Sequence, residues 1–342
     1  MKAYIDSIAY ALPKKSLTNS DLVQEFPEWS IEKIEQKTGI RKRQIVQDDE
    51  CASDIAVQAA KNLFDSNSWG PGDIDYLILC TQSPDYFLPT TACLLQERIG
   101  IPTRVGALDI NLGCSGYVYG LGMAKGLIET GQSERLLFIT AETYSKFIHP
   151  GDKSVRTLFG DAATATLLCS GSDNNREMIG PFVYGTDGRG GENLIVPNGG
   201  MRSRTDCTLE KISTDSSGNT RSANNLYMNG SEIFTFTFKK VPEAVEELLK
   251  KTGKTLSDID YFIFHQANYF MLEHLRKKIK IPKERFILAF SEYGNTVSSS
   301  IPIALKDAQA NGTIRKGDVL MLVGFGVGYS WGATLVEWGV QA

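Results

Sequence analysis

Two stretches of the chain, GDIDYLILCTQS (72–83) and SDIDYFIFHQAN (257–268), are nearly the same segment, 185 positions apart. The likeness continues in order: LLQERIGIP (94–102) faces HLRKKIKIP (274–282), and ERLLFITAE (134–142) faces GDVLMLVGF (317–325). Chance does not align three segments in one order, so the chain is constrained to be two copies of a single supersecondary plan. Each copy reads as an amphipathic helix, an Asp-led buried strand, a second helix, an Ile-Pro turn, another strand, a helix and a closing strand. Short apolar runs with helices between them predict largely parallel, buried sheets. Two such α/β units pack as layers of helix and sheet about a pseudo-twofold axis. The halves are expected at 1–172 and 173–342, with the Ser-, Thr- and Asn-rich segment 203–225 as a surface insertion in the second.

Aligning the halves also points to a site. Cys114, in NLGCSGYVYG, falls almost opposite Asn295, in SEYGNTVSSSIP, and His265 falls opposite Cys80. In open α/β sheets ligands gather at the carboxyl ends of strands. Cys114, His265 and Asn295 each stand at such an end, so a pseudo-twofold brings Cys114 and Asn295 face to face with His265 between them.

Taken singly, these residues have plainer readings. Free cysteine is among the most buried residue types, yet Cys114 precedes CSGYVYGLGMAKGLIET, a helical pattern running to about Thr130. A thiol at a helix N-terminus is expected to ionise more easily. This stretch alone leaves both readings open. His265 ends an apolar strand, where a histidine is ordinarily a satisfied hydrogen-bonder, but the following Gln-Ala-Asn supplies amides suited to a site. The other two histidines, His149 in a loop and His274 on a charged helix, read as structural or exposed. Asn295 reads as a turn residue. The run VGFGVGYSWGA (323–333) has GxGxG spacing and leads into the strand-like TLVEW, so it is not a dinucleotide loop. Its glycines would let backbone N–H groups approach a ligand, as in an oxyanion hole.

Other classes are disfavoured. A net charge of −4 gives no general attraction to nucleic acid or anionic membrane. No apolar run reaches the length of a membrane span. The opening MKAYIDSIAYALPKK lacks the apolar core and cleavage site of a signal peptide, and reads as a strand before a Pro-marked turn. Six scattered cysteines, with no CxxC pair and no metal-like His/Cys spacing, suit a reducing cytoplasm and no metal cofactor.

The segments GCSGYVYGL, LFGDAATATLL, HQAN, GNTVSSSIP and GFGVGYSWGATLV occur in the order seen in β-ketoacyl-acyl-carrier-protein synthase III, and KTGIRKR and MNGSEIFTFTFKKVP are similar too. The chain resembles that family of condensing enzymes over nearly its whole length. The resemblance implies a thiolase-like, five-layered αβαβα fold, a homodimer, and a Cys-His-Asn site needing no cofactor. It implies that Cys114 takes an acyl group from acyl-CoA, acetyl-CoA or another short one. His265 and Asn295 would then bind the thioester oxygen of malonyl carried on acyl carrier protein and stabilise the enolate formed as carbon dioxide leaves. A soft nucleophile exchanges thioesters readily, and neutral donors stabilise an enolate without quenching it. The N–H groups of Cys114 and Val327 would form the oxyanion hole. Trp29, Lys37, Lys153, Asn268 and Phe87 would contact substrate, and Lys277 and Lys278 would dock the acidic carrier.

There are departures from the family pattern. Val327 puts a side chain between Gly326 and Gly328, Lys37 and Lys153 replace family arginines, and Tyr269-Phe270 follows HQAN where a basic residue is common. The rival readings are a specialised relative with an unusual acyl group or acceptor, and a non-catalytic acyl-binding protein. Thiolase lacks support because no cysteine follows Cys207. Hydroxymethylglutaryl-CoA synthase lacks it because Gln82 stands where that relative has a catalytic glutamate.

Overall fold

The structure is a computed structural model that describes residues 1–171, 178–204 and 211–339. The expected boundary at 172/173, Cys207, and part of the 203–225 insertion lie outside the described residues.

The first half runs β1 (Lys2–Ala11), α1 (Ala52–Asp65), β2 (Tyr76–Cys80), α2 (Thr91–Ile99), β3 (Gly106–Ile110), α3 (Gly116–Glu129), β4 (Arg135–Glu142) and β5 (Ala162–Gly171). The second runs β6 (Ile179–Thr186), α4 (Gly230–Thr252), β7 (Tyr261–Phe264), α5 (Tyr269–Ile279), α6 (Ser300–Ala310), β8 (Val319–Gly326) and β9 (Ser330–Glu337). The sheets have orders β1-β5-β4-β2-β3 and β6-β9-β8-β7, the same plan apart from one strand.

The repeated Asp-x-Asp explains why the two copies begin alike. In each copy the first aspartate closes a short turn: Asp73 Oδ2 accepts the Gly70 N–H at 2.9 Å, and Asp258 Oδ2 accepts the Thr255 N–H at 2.7 Å. The second ties its strand to the start of the neighbouring parallel strand. Asp75 Oδ2 accepts from Glu134 N and Asp260 Oδ2 from Val319 N, both at 2.7 Å. Each bond registers a parallel pair of its sheet, β2 with β4 and β7 with β8.

The central strands are buried on both faces, so alternation separates two cores rather than core from water. Leu77 and Leu79 of β2 join an outer core with Ala56, Ala60 and Leu63 of α1, while Ile78 and Cys80 join the middle one. Phe262 and Phe264 of β7 pack outward with Val245 and Leu248 of α4, and Ile263 packs inward. The middle core holds Tyr117 and Leu121 of α3 with Ile301 and Leu305 of α6. The layers are therefore α1/α2, sheet, α3/α6, sheet, α4/α5.

Two expectations are corrected. The sheets are mixed rather than largely parallel: β2 is parallel to β3 and β4, and β7 to β8, but β5, β1, β9 and β6 pair antiparallel. The reason is connection length. Only Val327–Tyr329 separate β8 from β9, too few for the crossover a parallel pair needs. The strand expected after Ile281-Pro282 is reduced to a single bridge between Phe262 and Phe286. Beyond it the Gln266 side chain replaces the ladder, donating to Ile287 O at 3.3 Å and accepting from Ala289 N at 2.7 Å.

Outside these layers a small hairpin, Lys15–Thr18 paired with Lys42–Ile45, brackets two short helices, Asn19–Glu25 and Ile31–Thr38. Thr18 and Asp21 cap the first reciprocally, and Ser30 caps the second. This unit presents Trp29 and Lys37. No helix among the described residues is long and apolar enough to cross a membrane.

Candidate active site

Cys114 lies on the turn entering α3, where the Gly116 N–H closes onto Gly113 O at 2.7 Å. The end of β8 packs directly against this turn. A Cβ on Gly324 would meet the Cys114 carbonyl at 2.9 Å, and one on Gly326 would meet Sγ at 2.9 Å, so only glycine admits the approach. The sulfur receives the backbone N–H groups of Cys114 and Val327, the pair expected as the oxyanion hole. The expected easy ionisation is not found. With Cys114 only 4% exposed, burial pushes the thiol up to about 12, the nearby Glu142 adds to this, and the two N–H groups offset only part. Loss of water around a thiolate outweighs the fractional charge at the end of α3.

His265 follows β7, and its backbone N–H bonds Val323 O of β8 at 2.8 Å. The ring stands edge-on to Phe325, with centroids 5.5 Å apart, and Nδ1 is 2.8 Å from Ser300 Oγ. The Val297 carbonyl accepts a hydrogen bond from the ring, but burial dominates and lowers the imidazole to about 3. His265 is therefore neutral throughout the physiological range.

Asn295 is anchored through its backbone, its N–H to Leu158 O at 2.8 Å and its carbonyl accepting from Gly160 N at 3.0 Å. Oδ1 accepts the Val297 N–H at 2.9 Å, which sets the amide's orientation and turns Nδ2 the other way, as a donor. Val297 itself has φ 54°, a left-handed conformation that costs a β-branched residue energy and concentrates at functional turns. The three residues converge because β7 and β8 pair, Phe325 touches His265, Gly326 touches Cys114, and the 295–300 turn holds both Asn295 and the His265 ring.

Two cavities adjoin this centre. One, of about 360 Å³, is lined by Trp29, Lys37, Thr38, Leu158, Asn268 and Phe270, so it shares Leu158 with the backbone support of Asn295. Lys33 and Lys37 stand 5.0 and 5.3 Å from the Trp29 ring centroid. The other, of about 340 Å³, extends from Val327 and Gly328 past Gln82 and Tyr144 to Leu194 and Leu226. Val327 thus lends its N–H to the sulfur and its side chain to this wall. A larger cavity of about 570 Å³ lies between the hairpin and residues 145–150, and like the other two it is not lined by Cys114, His265 or Asn295 themselves.

The remaining expected residues are spread more widely. Lys153 is paired with Glu28 beside the Trp29 cavity rather than lining it. Asn268 caps α5 through Met271 N at 2.9 Å. Phe87 is 81% exposed on the loop before α2 and is not brought to the site within this chain. Lys277 is exposed, 3.3 Å from Glu273, whereas Lys278 is tied to Phe238 O at 2.8 Å over that ring. His149 and His274 make local backbone bonds to Gly151 and Phe270. The described part of the insertion packs against residues 147–152: Arg221 bonds Asp152 at 2.6 Å, and Asn225 Nδ2 donates to Phe147 O at 3.3 Å.

Sequence reasoning missed the polar groups behind the centre. Glu142, fully buried, accepts from Gln82 N at 3.0 Å and Ser83 Oγ at 3.3 Å, and lies 2.9 Å from Ser298 Oγ. Its signal was there to read, a charge closing the apolar run LLFITA. Among the described residues no cluster of three or more His, Cys, Asp or Glu side chains could hold a metal ion.

Known proteins resemble this chain in sequence and fold. Residues 108–188 match the family model of 3-oxoacyl-[acyl-carrier-protein (ACP)] synthase III, and residues 249–338 match the model of its C-terminal part. The β-ketoacyl-[acyl-carrier-protein] synthase III of Caldanaerobacter subterraneus subsp. tengcongensis is 36% identical over 327 residues, 96% of this chain and 95% of that protein. One from Clostridium perfringens is 38% identical over 323 residues, 94% of this chain and 95% of that protein. A crystal structure of a 3-oxoacyl-(acyl-carrier-protein) synthase III superposes with a TM-score of 0.97 at 53% identity, covering 99% of this chain and 100% of that one. A 3-oxoacyl-(acyl-carrier protein) synthase from Burkholderia xenovorans superposes at 0.90 with 37% identity, over 99% of this chain and 95% of that one.

Proposed function

The chain belongs to the β-ketoacyl-[acyl-carrier-protein] synthase III family, thiolase-fold acyltransferases that initiate fatty-acid synthesis by condensation, and from that premise we propose how its own residues divide the work. Acyl-CoA enters by the Trp29 cavity, its adenine against Trp29 and its phosphates facing Lys37 and Lys153. The Cys114 sulfur attacks the thioester carbonyl; the C–S bond to CoA breaks, and CoA leaves carrying the thiol proton. The acyl chain lies in the cavity walled by Val327, Tyr144, Leu194 and Leu226. Negative charge forming on the carbonyl oxygen is met by the Cys114 and Val327 N–H groups, donors already oriented and requiring no reorganisation.

Malonyl on acyl carrier protein follows, the carrier meeting the exposed Lys277. His265 and Asn295 donate to its thioester oxygen. As the carboxylate departs as carbon dioxide, the electron pair of that C–C bond becomes an enolate under those donors. Its carbon attacks the acyl-cysteine, the Cys114 sulfur leaves, and 3-oxoacyl carrier protein results. Neutral donors suit this step, because an imidazolium would protonate the carbanion it stabilises. The depressed imidazole of His265 and the orientation of the Asn295 amide support the assignment.

The observation that carries the reading is the buried sulfur of Cys114 under two backbone N–H groups, closed in by glycine at 324 and 326. A homodimer is supported by β3, which among the described residues pairs only with β2, and by the neighbouring loop whose Phe87 and Leu88 are 81% and 83% exposed. The loop and the open edge lie together, since Asp109 of β3 binds the N–H groups of Thr91 and Ala92. A second copy meeting across this edge would cover both. The absence of a membrane-crossing helix among the described residues is compatible with a cytoplasmic site of action.

The test is intact mass after incubation with acyl-CoA thioesters of graded length, then product analysis with malonyl carrier protein. The wild type should gain one acyl mass and Cys114→Ala none. Acyl label on Cys114→Ala at the wild-type rate, or no 3-oxoacyl product from any loaded form, would refute the proposal.

A further inference from the structure

Behind the nucleophile lies a buried polar chain that the reaction steps above do not use. Glu142, at the end of β4, has no exposed surface and forms no ion pair among the described residues. The titratable groups facing it are Cys80 on β2, Cys114 at the start of α3, Tyr144 beyond β4 and Asp161 ahead of β5, none of them a cation. On the 295–300 turn it meets the Ser298 hydroxyl. A full charge buried without a counter-ion is strongly disfavoured.

The surrounding donors indicate where a proton would go. Oε2 is taken by the Gln82 N–H at 3.0 Å and the Ser83 hydroxyl at 3.3 Å, while the Ser83 oxygen itself receives the Thr143 N–H at 2.8 Å. Oε1 faces Ser298 Oγ at 2.9 Å, and the Ser298 hydroxyl also serves the Cys80 sulfur. Cys80 in turn donates to the Leu112 carbonyl at 3.1 Å, two residues before the nucleophile. A proton on Oε1 satisfies every member in one direction: carboxyl to Ser298, Ser298 to Cys80, Cys80 to the Leu112 carbonyl.

We propose that Glu142 is held as a neutral carboxylic acid and acts as a positioning residue, joining the Cys114 turn of one half to the Asn295 turn of the other through Ser298 and Cys80. The neutral form also spares the Cys114 thiolate a negative neighbour. The inference rests on Cys114 being the nucleophile. In keeping with it, burial raises the Glu142 carboxyl to about 8, so the chain should fail in mild alkali.

The test compares wild type with Glu142→Gln and Glu142→Ala. Glutamine retains one acceptor and one donor, the pattern of the neutral acid. The first readout is the rate of Cys114 alkylation by iodoacetamide against pH, which needs no acyl substrate. Below the thiol's own ionisation that rate rises about tenfold per pH unit. The rise should flatten in wild type above about pH 8, as Glu142 ionises, and continue unbroken in Glu142→Gln. Acyl loading at pH 7 should fall more than about tenfold in Glu142→Ala and be restored by Glu142→Gln to within about threefold of wild type. A Gln variant as slow as the Ala variant, or one with the same flattening, would overturn the proposal. Infrared spectra of wild type with isotope-labelled glutamate provide a check independent of folding of the variants: a protonated carboxyl band at pH 7 that vanishes near pH 8 is expected, and its absence at pH 7 would overturn the proposal. Were acyl loading absent while the alkylation profile held, the proposed function would fail and the role of Glu142 would stand.

Discussion

Replacing Gly326 by alanine should separate correct placement of the nucleophile from mere presence of a thiol. The added Cβ would lie 2.8 Å from Cys114 Cβ and 2.9 Å from Sγ. Non-bonded heavy atoms rest at about 3.5–4.0 Å, so Cys114 or β8 must yield by roughly 0.6–1.2 Å. Neither yields easily: the turn is closed by the 2.7 Å bond from Gly116 N to Gly113 O, and β8 is paired on both edges, with β7 and β9. Overpacking of this kind costs roughly 1–3 kcal/mol. A 1 Å misplacement of a reacting atom lowers the rate by about 100-fold. Gly326→Ala should therefore keep its fold with a lowered urea midpoint, and load acyl groups from acyl-CoA about 100-fold more slowly by time-resolved intact mass. Gly72→Ala is the control, since a Cβ there meets nothing within 4 Å. Acyl loading by Gly326→Ala within about threefold of wild type would show that the sulfur tolerates displacement, and the argument from close packing would be wrong.

Replacing His265 or Asn295 by alanine should leave the single-turnover loading of Cys114 within about threefold, and slow release of labelled carbon dioxide from malonyl carrier protein by about 100-fold or more; equal losses in both steps would remove their assignment to the second. Stability should fall in acid because of His265. Its folded-state value of about 3 lies below the ordinary 6.5, so between these the unfolded chain binds more protons and stability is lost as pH falls, by roughly 5 kcal/mol at most. Glu142 acts in the opposite sense: raised from 4.5 to about 8, it lets stability fall as pH rises through that window. Between pH 4.5 and 6.5 the two terms oppose each other, so urea midpoints should fall more steeply with rising pH in His265→Ala, where Glu142 acts alone, than in wild type, and an identical dependence would contradict the buried neutral imidazole.

The amino-acid sequence by itself determined the plan of the two halves. Periodic apolar runs and the doubled Asp-x-Asp report local burial and strand starts, and these are properties of neighbouring residues. They were enough to bring Cys114, His265 and Asn295 into one place, although the strand expected ahead of Asn295 is only a single bridge. Direction and ionisation were decided only by tertiary structure. The short β8–β9 connection and the Gln266 side chain set which strands run antiparallel and where the second sheet stops. A helix terminus read along the chain promised an acidic thiol, but the desolvation that raises Cys114 comes from β8, 210 positions and more away. The polar chain from Glu142 to Ser298 spans 156 positions and leaves no periodic trace. Such terms depend on which atoms exclude water from which charge, and that is settled only when distant segments close on each other.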